Sequence, residues 1–147
     1  IKVTNTRHNE QVKTGLISKI NEILELGHKL ILVYPVPEMS FIPKRLLYRK
    51  YLFEKRLGKN STPILYESYE KFKSRNKLIF EILDSVQHQN LFRVYPHKFF
   101  CNTKLNNKCI ANDAETIFYY DDDHLSKFGS EVVVNEIIEI IKKIKFN

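Results

Sequence analysis

The chain has 147 residues, of which 43% are hydrophobic and 28% are charged. This length suits one domain, and the balance of apolar and charged residues excludes a chain that is disordered throughout. The 24 lysines and arginines outnumber the 17 aspartates and glutamates, so the net charge is +7. The longest apolar run, Leu30 to Val36, is far shorter than the roughly 20 residues that span a bilayer.

The excess positive charge is concentrated in one stretch of the chain. Between Phe41 and Lys59 there are seven lysines and arginines and one acid, Glu54. The remainder is close to neutral, which argues against a surface that binds nucleic acid over its whole extent. Three interpretations of the stretch stay open: contact with anionic lipid or glycan, nucleic-acid binding with stacked tyrosines, or a solvated helix face.

The first half of the chain alternates helical and strand patterns. Apolar residues at helical spacing predict a helix over Gln11–Leu26, which Gly27 ends. The continuous apolar run Leu30–Tyr34 predicts a strand buried on both faces, as in a parallel sheet. Two further helices are predicted over Lys44–Leu57 and Leu65–Val86.

The second half continues this alternation. Strands are predicted over Leu91–Tyr95 and Thr116–Tyr120, and a last helix over Ser126–Phe146. The order of elements predicts an α/β three-layer sandwich with a mostly parallel sheet. Three strands are fewer than the five or six of an average sheet, and the chain does not begin with Met. We therefore expect a single domain over residues 1–147 whose N-terminal part is missing.

Two cysteines, Cys101 and Cys109, flank a short segment rich in asparagine. Two cysteines are too few for a disulfide-framework protein or for a zinc site built from Cys alone. Their spacing is equally compatible with a small disulfide-closed loop and with two free thiols in a cytosolic protein.

The most informative segment is Tyr119-Tyr-Asp-Asp-Asp-His-Leu-Ser126, which is followed by Gly129. It lies between a predicted strand and a predicted helix, where open α/β sheets bind ligands. Asp121 and His124 are three residues apart, so a single turn can pair a general base with the carboxylate that orients it. A metal site of carboxylates and one His is a second interpretation, and an acidic helix-capping turn is a third. In each case Ser126 suits a helix cap and Gly129 suits close packing of that helix.

The pattern Tyr-Asp-Asp-Asp-His-Leu-Ser-x-x-Gly resembles the C-terminal block of SGNH hydrolases, also called the GDSL family. The likeness is strongest to the SGNH domains fused to membrane-embedded acyltransferase-3 domains, which acylate surface polysaccharides. Three further features agree in order along the chain: Val33-Tyr-Pro-Val-Pro-Glu38, Leu91-Phe-Arg-Val-Tyr95 and the cysteine pair Cys101 and Cys109. The resemblance covers the chain from about Val12 to its end and implies a flavodoxin-like SGNH fold.

The resemblance implies that His124 is the catalytic base and that Asp121 orients it, with no cofactor and no metal. Asp122 and Asp123 are then carboxylates at the start of the helix or on the surface. Pro35, Pro37 and Glu38 are expected to form the turn that ends the strand, and the alternative is that they line the edge of the site. The family's nucleophile is the Ser of a Gly-Asp-Ser block, but none of the four glycines here begins one. The nucleophile and the oxyanion donors are therefore expected upstream of this chain, and the isolated chain is expected to be inactive.

The function implied by the resemblance is O-acetylation of a cell-surface polysaccharide through a Ser-His-Asp centre at the periplasmic or other extracytoplasmic face of a bacterial membrane. The expected partners are a membrane-embedded acyltransferase domain, an acyl donor and a glycan acceptor, and no nucleic acid. A carbohydrate esterase with the same triad and a non-catalytic basic binding module are the alternatives.

Overall fold

The computed structural model describes residues 2–59 and 62–144. The helices and strands in chain order are α1 (Lys2–Glu25), β1 (Leu30–Val33), α2 (Pro43–Arg56), β2 (Tyr66–Ser68), α3 (Tyr69–Ser85), β3 (Leu91–Val94), α4 (His97–Phe100), β4 (Lys108–Ile110) and α5 (Lys127–Lys143). The chain divides into two compact units, Ile1–Leu32 with Asn76–Arg93, and Val33–Arg75 with Val94–Asn147. The prediction of one domain over residues 1–147 stays a prediction.

Strands β1 and β3 pair in parallel. The amide of Leu30 donates to the carbonyl of Asn90, and the amide of Tyr34 donates to the carbonyl of Val94, each at 2.9 Å. Between these two bonds both strands advance in the same direction by the same number of residues, as in a parallel ladder. The predicted α/β class with a parallel sheet is confirmed.

The burial of β1 is lower than its apolar sequence predicts. Leu30 to Leu32 are half-buried and Val33 is 46% exposed. In contrast, Leu91 and Val94 of β3 are buried. Within the described residues β1 pairs with β3 alone, so it lacks the second neighbouring strand that flanks a central strand in a larger sheet.

A second strand pair, β2 with β4, is antiparallel and was not predicted. Glu67 faces Cys109 across this pair, and the helix expected from Leu65 begins only at Tyr69. The buried side chain of Asn112 explains the extended start, because it accepts a hydrogen bond from the Leu65 amide at 2.8 Å and donates to the Pro63 carbonyl at 3.1 Å. A distant partner thus overrides the local helical pattern.

The cysteines form a disulfide, so the loop interpretation is confirmed. Cys101 and Cys109 are joined at 2.03 Å, and both are buried. Asn102 and Asn107 have φ angles of 56° and 54°, and the Asn107 amide donates to the Asn102 side chain at 2.6 Å. Asparagine tolerates this left-handed conformation better than most residues, which is why it can close so short a loop.

The prediction of a third strand over Thr116–Tyr120 is wrong. This segment forms only isolated bridges, Asn112 with Ile117 and Tyr119 with Leu125. Its backbone bonds to its own flanks, because the Phe118 amide donates to Ala111 and the Phe118 carbonyl accepts from Ser126, each at 2.9 Å. The apolar pattern predicts an extended segment correctly but does not reveal that its hydrogen-bond partners are local.

The predicted helices are present with shifted ends. Helix α1 begins at Lys2 rather than Gln11 and is followed by Gly27 at φ 83°. Helices α2 and α5 begin within one residue of their predicted starts, whereas the predicted end at Phe146 lies outside the described residues. In the parts of the chain that the structure describes, every helix is too short or too polar to cross a bilayer.

Gly129 in the first turn of α5 lies against the backbone of Phe118. A Cβ atom at this position would be 2.1 Å from the Phe118 carbonyl oxygen. We expect Gly129→Ala to lower the free energy of unfolding by about 3 kcal/mol, because backbone must move to admit the methyl group. Urea denaturation measures this change.

Gly15 provides the matched control, because it lies in the middle of α1 and a Cβ there would meet nothing within 4 Å. Gly15→Ala should stabilise the chain by up to about 1 kcal/mol through higher helix propensity. Equal effects of the two substitutions would contradict the close packing at Gly129.

Candidate active site

The acidic turn, residues 121–124, is closed by backbone contacts on both sides. The Tyr120 amide donates to the His124 carbonyl at 2.8 Å, and Tyr119 bridges to Leu125. Ser126 then begins α5 as its cap. The reversal of the chain at this point places Asp121 and His124 in the same closed turn.

Asp121 is held in place by the backbone that follows it. Its Oδ1 atom accepts hydrogen bonds from the amide of His124 at 2.8 Å and from the amide of Asp123 at 3.1 Å. These bonds to the ionised form, first the one from His124, lower the pKa of Asp121 to about 2. The carboxylate is therefore charged at neutral pH and fixed relative to the turn.

The imidazole of His124 contacts this carboxylate directly. Nδ1 lies 3.1 Å from Oδ1 and 3.0 Å from Oδ2 of Asp121. The hydrogen bond that the ring donates to Asp121, followed by the charges of Asp121 and Asp123, raises the pKa of His124 above its ordinary value. When the ring is neutral, such a contact favours a proton on Nδ1, so Nε2 has a free lone pair and can accept a proton.

The ring of His124 is open to solvent rather than enclosed. Its side chain is 74% exposed, whereas that of Asp121 is 31% exposed. A surface groove of about 340 Å³ lies beside the turn, with Tyr119, Tyr120 and Ser126 in its wall. His124 and Asp121, the predicted base and orienting carboxylate, are thus in contact, and the ring is exposed to solvent.

Asp123 is a second carboxylate close to the same ring nitrogen. Its Oδ1 atom lies 2.8 Å from Nδ1 of His124, but it is 57% exposed. Potential ligand atoms of Asp121, Asp123 and His124 all lie within 4.8 Å of one another. A divalent cation bound here would therefore compete with the Asp121–His124 hydrogen bond for the same atoms. Of the two carboxylates, Asp121 is the better orienting group because the backbone holds it.

The segment that follows β1 contacts the acidic turn through its backbone. The Met39 amide donates to the Asp122 carbonyl at 2.7 Å. The Glu38 side chain forms an ion pair with Arg75, which ties the segment to α3. The contact with the turn is thus made by Met39, the residue that directly follows the Pro-Val-Pro-Glu sequence.

A polar cluster beside this segment was missed by sequence reasoning. Ser40 hydrogen-bonds to Glu67 through both its amide, at 3.1 Å, and its hydroxyl, and Lys71 contacts both residues. Burial raises the pKa of Glu67, but hydrogen bonds from Ser40, from the Ser68 backbone and from Lys71 outweigh it and bring the pKa to about 2. No local pattern links residues so far apart in the chain.

Ser126 is a structural cap, as its position predicts. Its hydroxyl accepts from the Gly129 amide at 3.2 Å and donates to the Ile117 carbonyl at 2.7 Å. Both roles of the hydroxyl are thus occupied. Among residues 2–59 and 62–144, no serine hydroxyl is hydrogen-bonded to His124.

Removal of one carboxylate at a time tests which of them controls the imidazole. Asp121→Asn should lower the pKa of His124 towards its ordinary 6.5, because the hydrogen bond and the charge of Asp121 are the two largest causes of the shift. Asp123→Asn should lower the pKa less, since only its charge contributes. Titration of the His124 ring protons by NMR measures both.

The raised pKa also sets the sign of a stability change. Protonated His124 stabilises the folded chain below its unfolded-state pKa, and this contribution is lost as the pH rises through the raised value.

A larger decrease of the His124 pKa in Asp123→Asn than in Asp121→Asn would contradict the assignment of Asp121 as the principal partner of the ring.

A family model matches most of the chain. The model of the SGNH domain (fused to AT3 domains) matches residues 2–139. No curated protein and no solved structure matches the chain significantly. The matched range contains the acidic turn, the disulfide and the segment after β1, and the family supports a general acyl-transfer or esterase-like function. The chain belongs to the family of SGNH domains that are fused to AT3 domains.

Proposed function

We propose that this chain supplies the base and the orienting acid of a Ser-His-Asp centre that acylates cell-surface polysaccharide. The observation that carries the proposal is the contact between Nδ1 of His124 and the Asp121 carboxylate, at 3.0 to 3.1 Å. With the proton on Nδ1, Nε2 is the nitrogen that accepts a proton. The nucleophilic serine is supplied by residues that precede this chain in the whole protein.

The reaction then follows from the protonation states of the pair. Nε2 of His124 accepts the serine proton as the serine oxygen bonds to the acyl carbon, and the charge of Asp121 stabilises the imidazolium that results. The imidazolium returns this proton to the leaving group as the donor bond breaks. In the second half the ring takes a proton from the acceptor hydroxyl as the acceptor oxygen bonds to the acyl carbon. The imidazolium then returns this proton to the serine oxygen as the bond between the acyl carbon and the serine breaks.

The acceptor decides between transfer and hydrolysis. A sugar hydroxyl gives an O-acyltransferase, whereas water gives a carbohydrate esterase with the same residues. Fusion of this family to AT3 domains favours transfer, because a partner domain provides a source of acyl groups. We propose an acetyl group, a membrane-embedded acyltransferase domain as partner and a surface glycan as acceptor.

The disulfide supports an extracytoplasmic location. Cys101 and Cys109 are bonded, and disulfides persist in the periplasm and outside the cell but are rare in the reducing cytosol. We therefore propose that the chain works at the periplasmic or outer face of a bacterial membrane, beside its partner domain.

Substitutions in the whole protein test the proposed centre. His124→Ala should lower the rate of acetyl transfer to the glycan by about a thousand-fold, and Asp121→Asn should have an effect of similar size, because both remove the oriented base. Asp123→Asn is the matched control, since it removes a neighbouring carboxylate that the backbone does not hold. It should change the rate by less than about threefold.

The wild-type rate of acetyl transfer should rise with pH through the raised pKa of His124, because only the neutral ring accepts a proton.

The isolated chain should not hydrolyse a simple acetyl ester, since its described residues provide no serine at the ring. Ester hydrolysis that disappears in His124→Ala would show that a nucleophile lies within this chain. Transfer by the whole protein that survives His124→Ala would instead favour a non-catalytic binding module.

A further inference from the structure

Helix α2 leaves most of its surface uncovered. Pro43 at its start is buried, and Leu46 and Leu47 are half-buried. From Tyr48 to Lys59 every side chain is exposed except that of Glu54, which is half-buried. A helix of 14 residues is marginal without tertiary contacts, so this exposed surface is suited to a binding partner.

The exposed surface of α2 is strongly cationic. All seven basic side chains between Phe41 and Lys59 are exposed, and Glu54 is the one acid in this stretch. The seven residues are Lys44, Arg45, Arg49, Lys50, Lys55, Arg56 and Lys59. The complementary partner is therefore negatively charged.

Aromatic and apolar side chains lie among these cations. Arg45, Arg49 and Arg56 are separated by four and seven residues, so helical periodicity aligns them in one row. Tyr48 is on one side of this row and Phe53 on the other, and they are 64% and 63% exposed. Leu46, Leu52 and Phe53, together with basic neighbours, line a surface groove of about 490 Å³.

This exposure distinguishes α2 from an ordinary solvated helix. On such a face, the aliphatic stems of lysine and arginine cover the neighbouring apolar groups. Here the rings of Tyr48 and Phe53 remain mostly uncovered. Cations that alternate with exposed aromatic rings are typical of helices that lie in the interface of an anionic membrane, where the rings enter the headgroup boundary and the cations contact phosphate.

We infer that α2 is an interfacial helix that binds the surface of a membrane containing anionic phospholipid. Its outward cationic row contacts the headgroups, while Tyr48, Leu52 and Phe53 insert beside them. This role is independent of the proposed acyl-transfer centre, because the residues that carry it are separate from Asp121 and His124.

Vesicle flotation with the purified 147-residue chain tests the inference. The chain should float with vesicles of phosphatidylcholine and phosphatidylglycerol and not with vesicles of phosphatidylcholine alone, and binding should weaken as salt is raised. Arg49→Ala with Arg56→Ala should weaken binding about 25-fold, since each cation near an anionic surface contributes a factor of about five. Tyr48→Ser with Phe53→Ser should weaken binding about tenfold through lost apolar insertion.

Matched controls remove the same chemistry elsewhere. Lys13→Ala with Lys142→Ala removes two exposed cations from other helices, and Leu26→Ser removes an apolar side chain that is 70% exposed. Both controls should bind vesicles within about twofold of the wild type. Circular dichroism of each variant verifies that the helices remain folded.

Binding that is unchanged in both α2 variants, or reduced equally in the controls, would overturn the inference. Failure to bind anionic vesicles would overturn it as well, and tight binding of a single-stranded oligonucleotide in that case would assign α2 to nucleic acid. None of these outcomes depends on catalysis, so the inference and the proposed function fail separately.

Discussion

The short contact between the Asp121 carboxylate and Nδ1 of His124 connects the local backbone of this chain to the chemistry proposed for it. A histidine exposed to solvent has no preferred role and titrates near its ordinary pKa. Here a carboxylate that two backbone amides hold raises the pKa of the ring and favours one tautomer. The turn thus fixes the orientation of an exposed imidazole, as the proposed role of His124 as a base requires.

The surrounding fold keeps this turn in place from three directions. Gly129 allows α5 to begin directly against the backbone of Phe118, and the Ser126 hydroxyl joins the start of the helix to Ile117. On the other side, the Met39 amide binds the Asp122 carbonyl. Each of these contacts involves a backbone group. Substitutions of the side chains of residues 121–124 therefore need not disturb them.

Local parts of this arrangement are predictable from sequence because their interactions span only a few residues. The pairing of Asp121 with His124, the cap at Ser126 and the start of α5 all follow from spacings of three residues in one segment. The link from Met39 to Asp122 and the pairing of β2 with β4 join distant segments, and no local pattern encodes such partners. The expected strand over Thr116–Tyr120 failed for a related reason, since an apolar run predicts an extended backbone but not the groups to which it bonds.

The tautomer of the neutral His124 ring tests the central claim most directly. Nitrogen-15 chemical shifts of the imidazole, recorded above its pKa, report which ring nitrogen has the proton. The contact with Asp121 predicts a proton on Nδ1 and a bare Nε2, with this preference weakened in Asp121→Ala. A dominant Nε2-protonated form in the wild-type chain would contradict the claim, because that nitrogen could then accept no proton from a serine.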